Sequence, residues 1–197
     1  MLTLFKNLPW SAKYTVPPLV VSLLLMLVFF LPDATKLTLT FERELIIQGQ
    51  WWRLLTGQAV HWGLGHFIMN VAGVWLVWLL FAEYATGWRY GVIIVAIAVA
   101  SNLGMFWFDP KVEYYVGFSG TLYGLFAWGG VQDIRHKVPF GWLLLVAVVV
   151  KVAYDLRFGA VSISGVSADN LAVAAHFFGV VGGILLALVS NNRWQRG

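Results

Sequence analysis

Three short segments of the 197-residue chain carry the side chains able to do chemistry. In Gly117-Phe118-Ser119-Gly120 a serine stands between glycines, which permit backbone angles and close approaches that a β-carbon would obstruct. A serine hydroxyl is a weak nucleophile until a neighbouring base takes its proton, and imidazole, with an ordinary pKa of about 6.5, does so at neutral pH. His176 can supply that base. Attack on a carbonyl also develops negative charge on oxygen, which needs preorganised donors. His66 and Asn70, four residues apart, point at one small volume if their segment is helical. Together these residue types describe acyl transfer. Zinc is the rival use of the histidines, but His61, His66 and His176 lack an H-E-x-x-H spacing and no carboxylate accompanies them, so no metal and no other cofactor is expected. With no cysteine there is no thiol nucleophile, disulfide or thiolate ligand.

The elements that must hold these residues are membrane helices. A chain with 60% apolar side chains, 11% charged and a mean hydropathy of +0.78 is not a water-soluble globule. Its net charge of +4, without a basic run, fits loops facing an anionic lipid surface and not a nucleic-acid partner. Apolar stretches at 17–31, 67–82, 91–108, 119–131, 140–154 and 171–190 predict an all-α bundle of six transmembrane helices in one domain, 1–197. The first stretch follows Lys6 and Lys13 as a signal peptide would, but Leu31-Pro32-Asp33-Ala34 is a poor cleavage site, so it is read as a retained span. Two connections are long, 33–60 and the Gly/Ser-rich 157–170.

Orientation follows from Lys and Arg in the connections. Lys6, Lys13, Arg89, Arg135, Lys137, Arg193 and Arg196 lie on the amino-terminal side, against Lys36, Arg43, Arg53, Lys111, Lys151 and Arg157 on the other. The first set lies in shorter segments, which places both termini in the cytoplasm. His66 and Asn70, Ser119, and His176 then fall in the first turns of the second, fourth and sixth helices, all at the outer level. Ionisable groups within a span are costly and mark a bundle interior or a water-filled cavity, so the coincidence points to a site.

The fourth stretch sharpens this. Thirteen residues, 119–131, make about 20 Å of helix where the hydrocarbon core is about 30 Å thick. Ser119 would then sit below the outer surface, with the 113–118 backbone descending to meet it. Gly120 and Gly124 form a small-x-x-x-small pair that reads equally as close helix packing. Gly179 and Gly183 repeat the device after His176, and facing glycine stripes would bring His176 to Ser119. No aspartate falls on a turn near His176, so a dyad is the simpler reading than a triad. Tyr123, one turn below Ser119, either stacks on the imidazole or packs as ordinary core. His61 is read as an interfacial residue completing a hydrogen-bond network. The 42–55 segment mixes Leu45, Ile46, Ile47, Trp51, Trp52, Leu54 and Leu55 with four charges, which suits a loop lying in the membrane interface.

The six-helix plan, Gly117-Phe118-Ser119-Gly120, the H-x-x-x-N from His66 to Asn70, and Ala175-His176-Phe177-Phe178-Gly179 with Gly183 resemble the rhomboid intramembrane serine proteases over most of the chain. The resemblance implies that Ser119 is the nucleophile and His176 its base. It makes His66, Asn70 and the Ser119 backbone N–H the oxyanion donors, and Tyr123 the tyrosine packed on the histidine. Trp52-Arg53 matches the family's W-R motif. The family pairs this arginine with a glutamate late in the second helix. Here the nearest candidate, Glu83, falls near the inner end by the topology above, and a solvated Arg53 at the headgroups is the other reading.

The small size and the run from Gln50 to Gln58 also resemble the rhombosortase branch, bacterial enzymes associated with carboxy-terminal Gly-Gly tails on exported proteins, although Tyr123 stands where many branch members have histidine. What this implies is a protease of the bacterial inner membrane with its site toward the periplasm, acting on transmembrane or tail-anchored protein substrates in the bilayer. The other readings are a non-catalytic rhomboid-like protein that binds membrane clients, and a small channel, which would carry polar residues through the inner half.

Overall fold

The computed structural model describes residues 8–159 and 170–190. Each apolar stretch holds a long helix: α1 (Ala12–Phe29), α5 (Leu64–Phe81), α6 (Trp88–Phe108), α7 (Ser119–Arg135), α8 (Trp142–Phe158) and α9 (Asn170–Val189). Between the first two lie the short helices α2 (Asp33–Leu39), α3 (Arg43–Ile47) and α4 (Arg53–Thr56), then a 3-10 turn, Gly57–Ala59. Helices α1, α5 and α6 are each long and apolar enough to cross a membrane, and α9 includes a shorter apolar helix, Val173–Val189. On α1 the side chains of Leu19, Val20, Leu23, Leu24 and Leu27 are all exposed. Water would not tolerate so continuous an apolar face, and lipid accepts it. The chain is an integral membrane protein. Lys6, Arg193, Arg196 and residues 160–169 of the second long connection lie outside the described residues.

Helix α1 begins five residues earlier than hydropathy suggests and runs through Pro17 and Pro18. Pro17 has no N–H to offer the Lys13 carbonyl. That carbonyl accepts instead from the Gly87 N–H at 3.4 Å, which ties the start of α1 to the start of α6.

Helix α7 is the centre of the bundle, with eleven of its seventeen residues buried. It is also longer than the thirteen residues read from the sequence, at about 25 Å. Hydropathy stops at the first polar residues, but Gln132 is buried, Asp133 accepts from the Tyr84 hydroxyl at 2.6 Å, and the Arg135 guanidinium donates to the carbonyls of Ala187, Leu188 and Ser190. These contacts carry the helix through its polar end and cap α9, whose last carbonyls have no intrahelical donor.

The connection between α1 and α5 is more structured than its mixed composition suggests. Phe41–Glu42 (β1) pairs antiparallel with Tyr114–Tyr115 (β2), Phe41 opposite Tyr115. Beside it Arg43 donates to the carbonyls of Met105, Phe106, Asp109 and Val112 at 2.6–2.9 Å, capping α6. Arg53 is not a solvated charge. It is 3% exposed, donates to the carbonyls of Leu37 and Thr40 and to Gln50 Oε1 at 2.6–2.8 Å, and lies 4.0 Å from Glu42. Its ion-pair neighbour is thus Glu42, not Glu83. Backbone carbonyls left open by tight local turns supply what an apolar setting would otherwise deny a guanidinium.

Candidate active site

Ser119 opens α7, so its N–H belongs to the first turn, where helix donors have no intrahelical acceptor. The 113–118 backbone is satisfied from the connection that carries Arg43 and Gly57: the Arg43 N–H donates to the Glu113 carbonyl at 2.9 Å, and the Gly117 N–H to that of Gly57 at 3.1 Å. Tyr115 Oη donates to the Gly117 carbonyl at 2.9 Å and accepts from the Gly120 N–H at 3.2 Å, pinning the turn immediately before the helix. Gly117 is required twice over. Its φ is +113°, and a β-carbon there would strike the His66 ring.

The glycine stripes face each other. A β-carbon on Gly120 would come within 2.6 Å of Ser101 Oγ and 3.1 Å of Ala175, and one on Gly124 within 2.5 Å of the Gly179 carbonyl oxygen. Side chains on Gly179 and Gly183 would in turn collide with the carbonyls of Gly120 and Gly124. This backbone-to-backbone approach puts Ser119 Oγ 2.9 Å from His176 Nε2. With the ring proton on Nδ1, the hydroxyl donates to Nε2, the geometry a serine needs before it can attack. Tyr123 stacks on the imidazole with centroids 4.0 Å apart and planes 15° from parallel. His176 Nδ1 has no hydrogen-bond partner among the described residues. Asp155, 2% exposed on α8, is bound at 2.6 Å by Lys151 and makes no hydrogen bond or ion pair with His176 among the described residues.

His66 and Asn70 lie on α5, with the His66 ring against Gly117 and therefore beside the turn that carries Ser119. The buried Asn70 amide donates to the His66 carbonyl at 3.0 Å. His61, expected at the interface, is fully buried. It packs edge-on against His66 at 4.8 Å with Nδ1 3.0 Å from the Ala59 carbonyl, and burial, with His66 beside it, pushes its pKa down to about 4. It is a neutral prop for the His66 ring. Ser101, Asn102 and Thr121, none of them singled out by sequence, are buried with Gln58, the last residue of the Gln50–Gln58 run, beside the Ser119–His176 contact. The adjacent Ser101-Asn102 pair inside an apolar stretch was the available signal.

A helical membrane bundle that holds a serine and a histidine in contact beneath a turn of buried backbone defines a narrow class. The family model described as Rhomboid domain matches residues 48–193, which include Ser119, His176, His66, Asn70 and Tyr123. The chain belongs to the rhomboid family. It is 26% identical over 146 residues to the rhomboid protease GluP of Bacillus subtilis (strain 168), covering 74% of this chain and 27% of that protein. It is 28% identical over 151 residues to the putative rhomboid protease YdcA of the same organism, covering 77% of this chain and 73% of that one. With the rhomboid protease GlpG of Photorhabdus laumondii subsp. laumondii it shares 28% over 145 residues, 71% of this chain and 48% of the other.

Proposed function

We propose that this chain is a rhomboid-type serine protease, a peptide-bond hydrolase that cuts membrane-anchored proteins within the bilayer by a Ser119–His176 dyad. The observation that carries the reading is the 2.9 Å contact between Ser119 Oγ and His176 Nε2, residues 57 apart in sequence on two different helices. Oγ attacks the scissile carbonyl carbon while Nε2 takes the hydroxyl proton. His66, Asn70 and the Ser119 N–H stabilise the developing oxyanion. Collapse of the tetrahedral intermediate breaks the C–N bond, and the imidazolium returns its proton to the leaving amine. Water, deprotonated by the same imidazole, then hydrolyses the acyl-enzyme and restores the serine. Tyr123 holds the ring in place of a third, carboxylate member. A helix protects its own peptide bonds, so the substrate segment must open locally to reach Ser119.

All six long helices cross the bilayer in this reading, with both termini cytoplasmic and the site toward the periplasmic face of a bacterial inner membrane. The run from Gln50 to Gln58 favours a rhombosortase-like enzyme acting on Gly-Gly carboxy-terminal tails. Cleavage of a reference transmembrane substrate by Ser119→Ala, His176→Ala and the double variant tests the dyad. Each single change abolishes turnover, and the double is no worse than either, because the pair acts as a unit. Robust turnover by Ser119→Ala rules the dyad out, and client binding without turnover in the wild type leaves a non-catalytic rhomboid-like protein.

A further inference from the structure

A chain of buried amides beside the dyad has no part in the chemistry above. Thr121 Oγ1, two residues beyond the nucleophile, donates to Gln58 Oε1 at 2.9 Å. Gln58 Nε2 donates to Asn102 Oδ1 at 2.8 Å, and Asn102 Nδ2 donates to the Leu54 carbonyl at 2.8 Å. Thr121 and Asn102 are 0% exposed and Gln58 2%, so a lost partner could not be replaced by water without opening the bundle. The chain has one direction. The Leu54 carbonyl only accepts, which orients the Asn102 amide, and Asn102 Oδ1 then orients Gln58 so that its oxygen faces Thr121. Ser101, adjacent to Asn102 and also fully buried, donates to the carbonyl of Ala175, the residue before His176, at 2.9 Å. One turn of α6 thus grips both dyad helices, the base helix directly and the nucleophile helix through Gln58.

The glycine interface explains why such a grip is needed. Gly120, Gly124, Gly179 and Gly183 bring α7 and α9 close but offer no side chains to interlock, so the contact alone resists sliding and rotation weakly. A directional bond at Thr121, in the first turn of α7, fixes rotation of that turn and with it the direction of Ser119. We propose that Gln58 is a positioning residue that clamps the first turn of α7 through Thr121 and so holds Ser119 Oγ on His176. The inference rests on the dyad reading and extends it to the interfacial connection that carries Gln58.

The test is the second-order rate of fluorophosphonate acylation at Ser119 in purified full-length protein, with thermal unfolding followed on the same samples. Thr121→Val keeps the shape and removes the donor; Thr121→Ser keeps the donor; Gln58→Leu removes the acceptor. Thr121→Val and Gln58→Leu slow acylation by about 10- to 100-fold, the scale of a displacement of about 1 Å, while Thr121→Ser restores most of the rate at a similar unfolding midpoint. Thr121→Val changes volume least and decides the matter if Gln58→Leu does not fold. Wild-type acylation in folded Thr121→Val, or equal losses in the Val and Ser variants, overturns the clamp while leaving the dyad standing. Failure of the wild type to label at Ser119 overturns the dyad, and the clamp with it.

Discussion

Adding one methyl group at Gly179 should disable the dyad from a distance. The alanine β-carbon would lie 2.9 Å from the Gly120 carbonyl carbon and closer still to its oxygen, where ordinary contact begins at about 3.4 Å. Backbone cannot rotate aside as a side chain can, so α7 and α9 must separate by on the order of 1 Å to admit it. Ser119 Oγ and His176 Nε2 stand 2.9 Å apart, and the same separation takes them to roughly 4 Å, beyond hydrogen-bond distance. A misplacement of that size costs about 100-fold in rate, against an overpacking penalty of about 1–3 kcal/mol in stability. Gly179→Ala is therefore expected to stay folded in detergent yet lose about two orders of magnitude in kcat on a transmembrane substrate. Gly91→Ala is the control, since a β-carbon there meets nothing within 4 Å. Wild-type turnover by folded Gly179→Ala would refute the argument that backbone contact sets the dyad distance.

Three further outcomes follow from the same geometry. Asn70→Ala lowers kcat by about 10- to 1,000-fold in a steady-state cleavage assay, at the upper end if the amide is a direct oxyanion donor, and wild-type turnover removes Asn70 from the site. In this cysteine-free chain, Tyr114→Cys, half exposed on β2, reacts in intact cells with an impermeant thiol reagent that reaches only the periplasm, and Val138→Cys does not; the reverse pattern inverts the topology. Replacing the glycines of a Gly-rich client tail by leucines stops processing, because glycine leaves the helix easily and leucine does not. Equal cleavage of both tails, and of unrelated single-span proteins, marks a general rhomboid instead.

What the sequence disclosed was whatever periodicity and rare residue types encode. Six apolar stretches located six helices, and glycines spaced by four on two of them located the contact that joins Ser119 to His176. Helical spacing puts Tyr123 one turn below Ser119 but leaves stacking and core packing both open, and the stack on His176 emerges only with the fold. The rest depended on contacts between distant segments. Hydropathy ended α7 at its first polar residues, because the carbonyls that receive Arg135 lie more than fifty residues away. The sequence leaves Arg53 between a pairing with Glu83 and a solvated position and puts His61 at the interface, yet both are buried against backbone carbonyls, which no side-chain pattern reveals. Gln58 stands out only as the end of the Gln50–Gln58 run, and its bonds to α6 and α7 come from segments more than forty residues away.

Activation of Ser119 as a nucleophile by His176 is tested most directly by active-site labelling. Purified protein treated with a fluorophosphonate and analysed by peptide mass spectrometry should carry one adduct, on Ser119. The adduct should be absent in Ser119→Ala and strongly slowed in His176→Ala, with Tyr123→Phe close to wild type because the stacking ring is retained. An unlabelled wild type, an adduct on another serine, or labelling of Ser119 at the same rate without His176 would contradict the account.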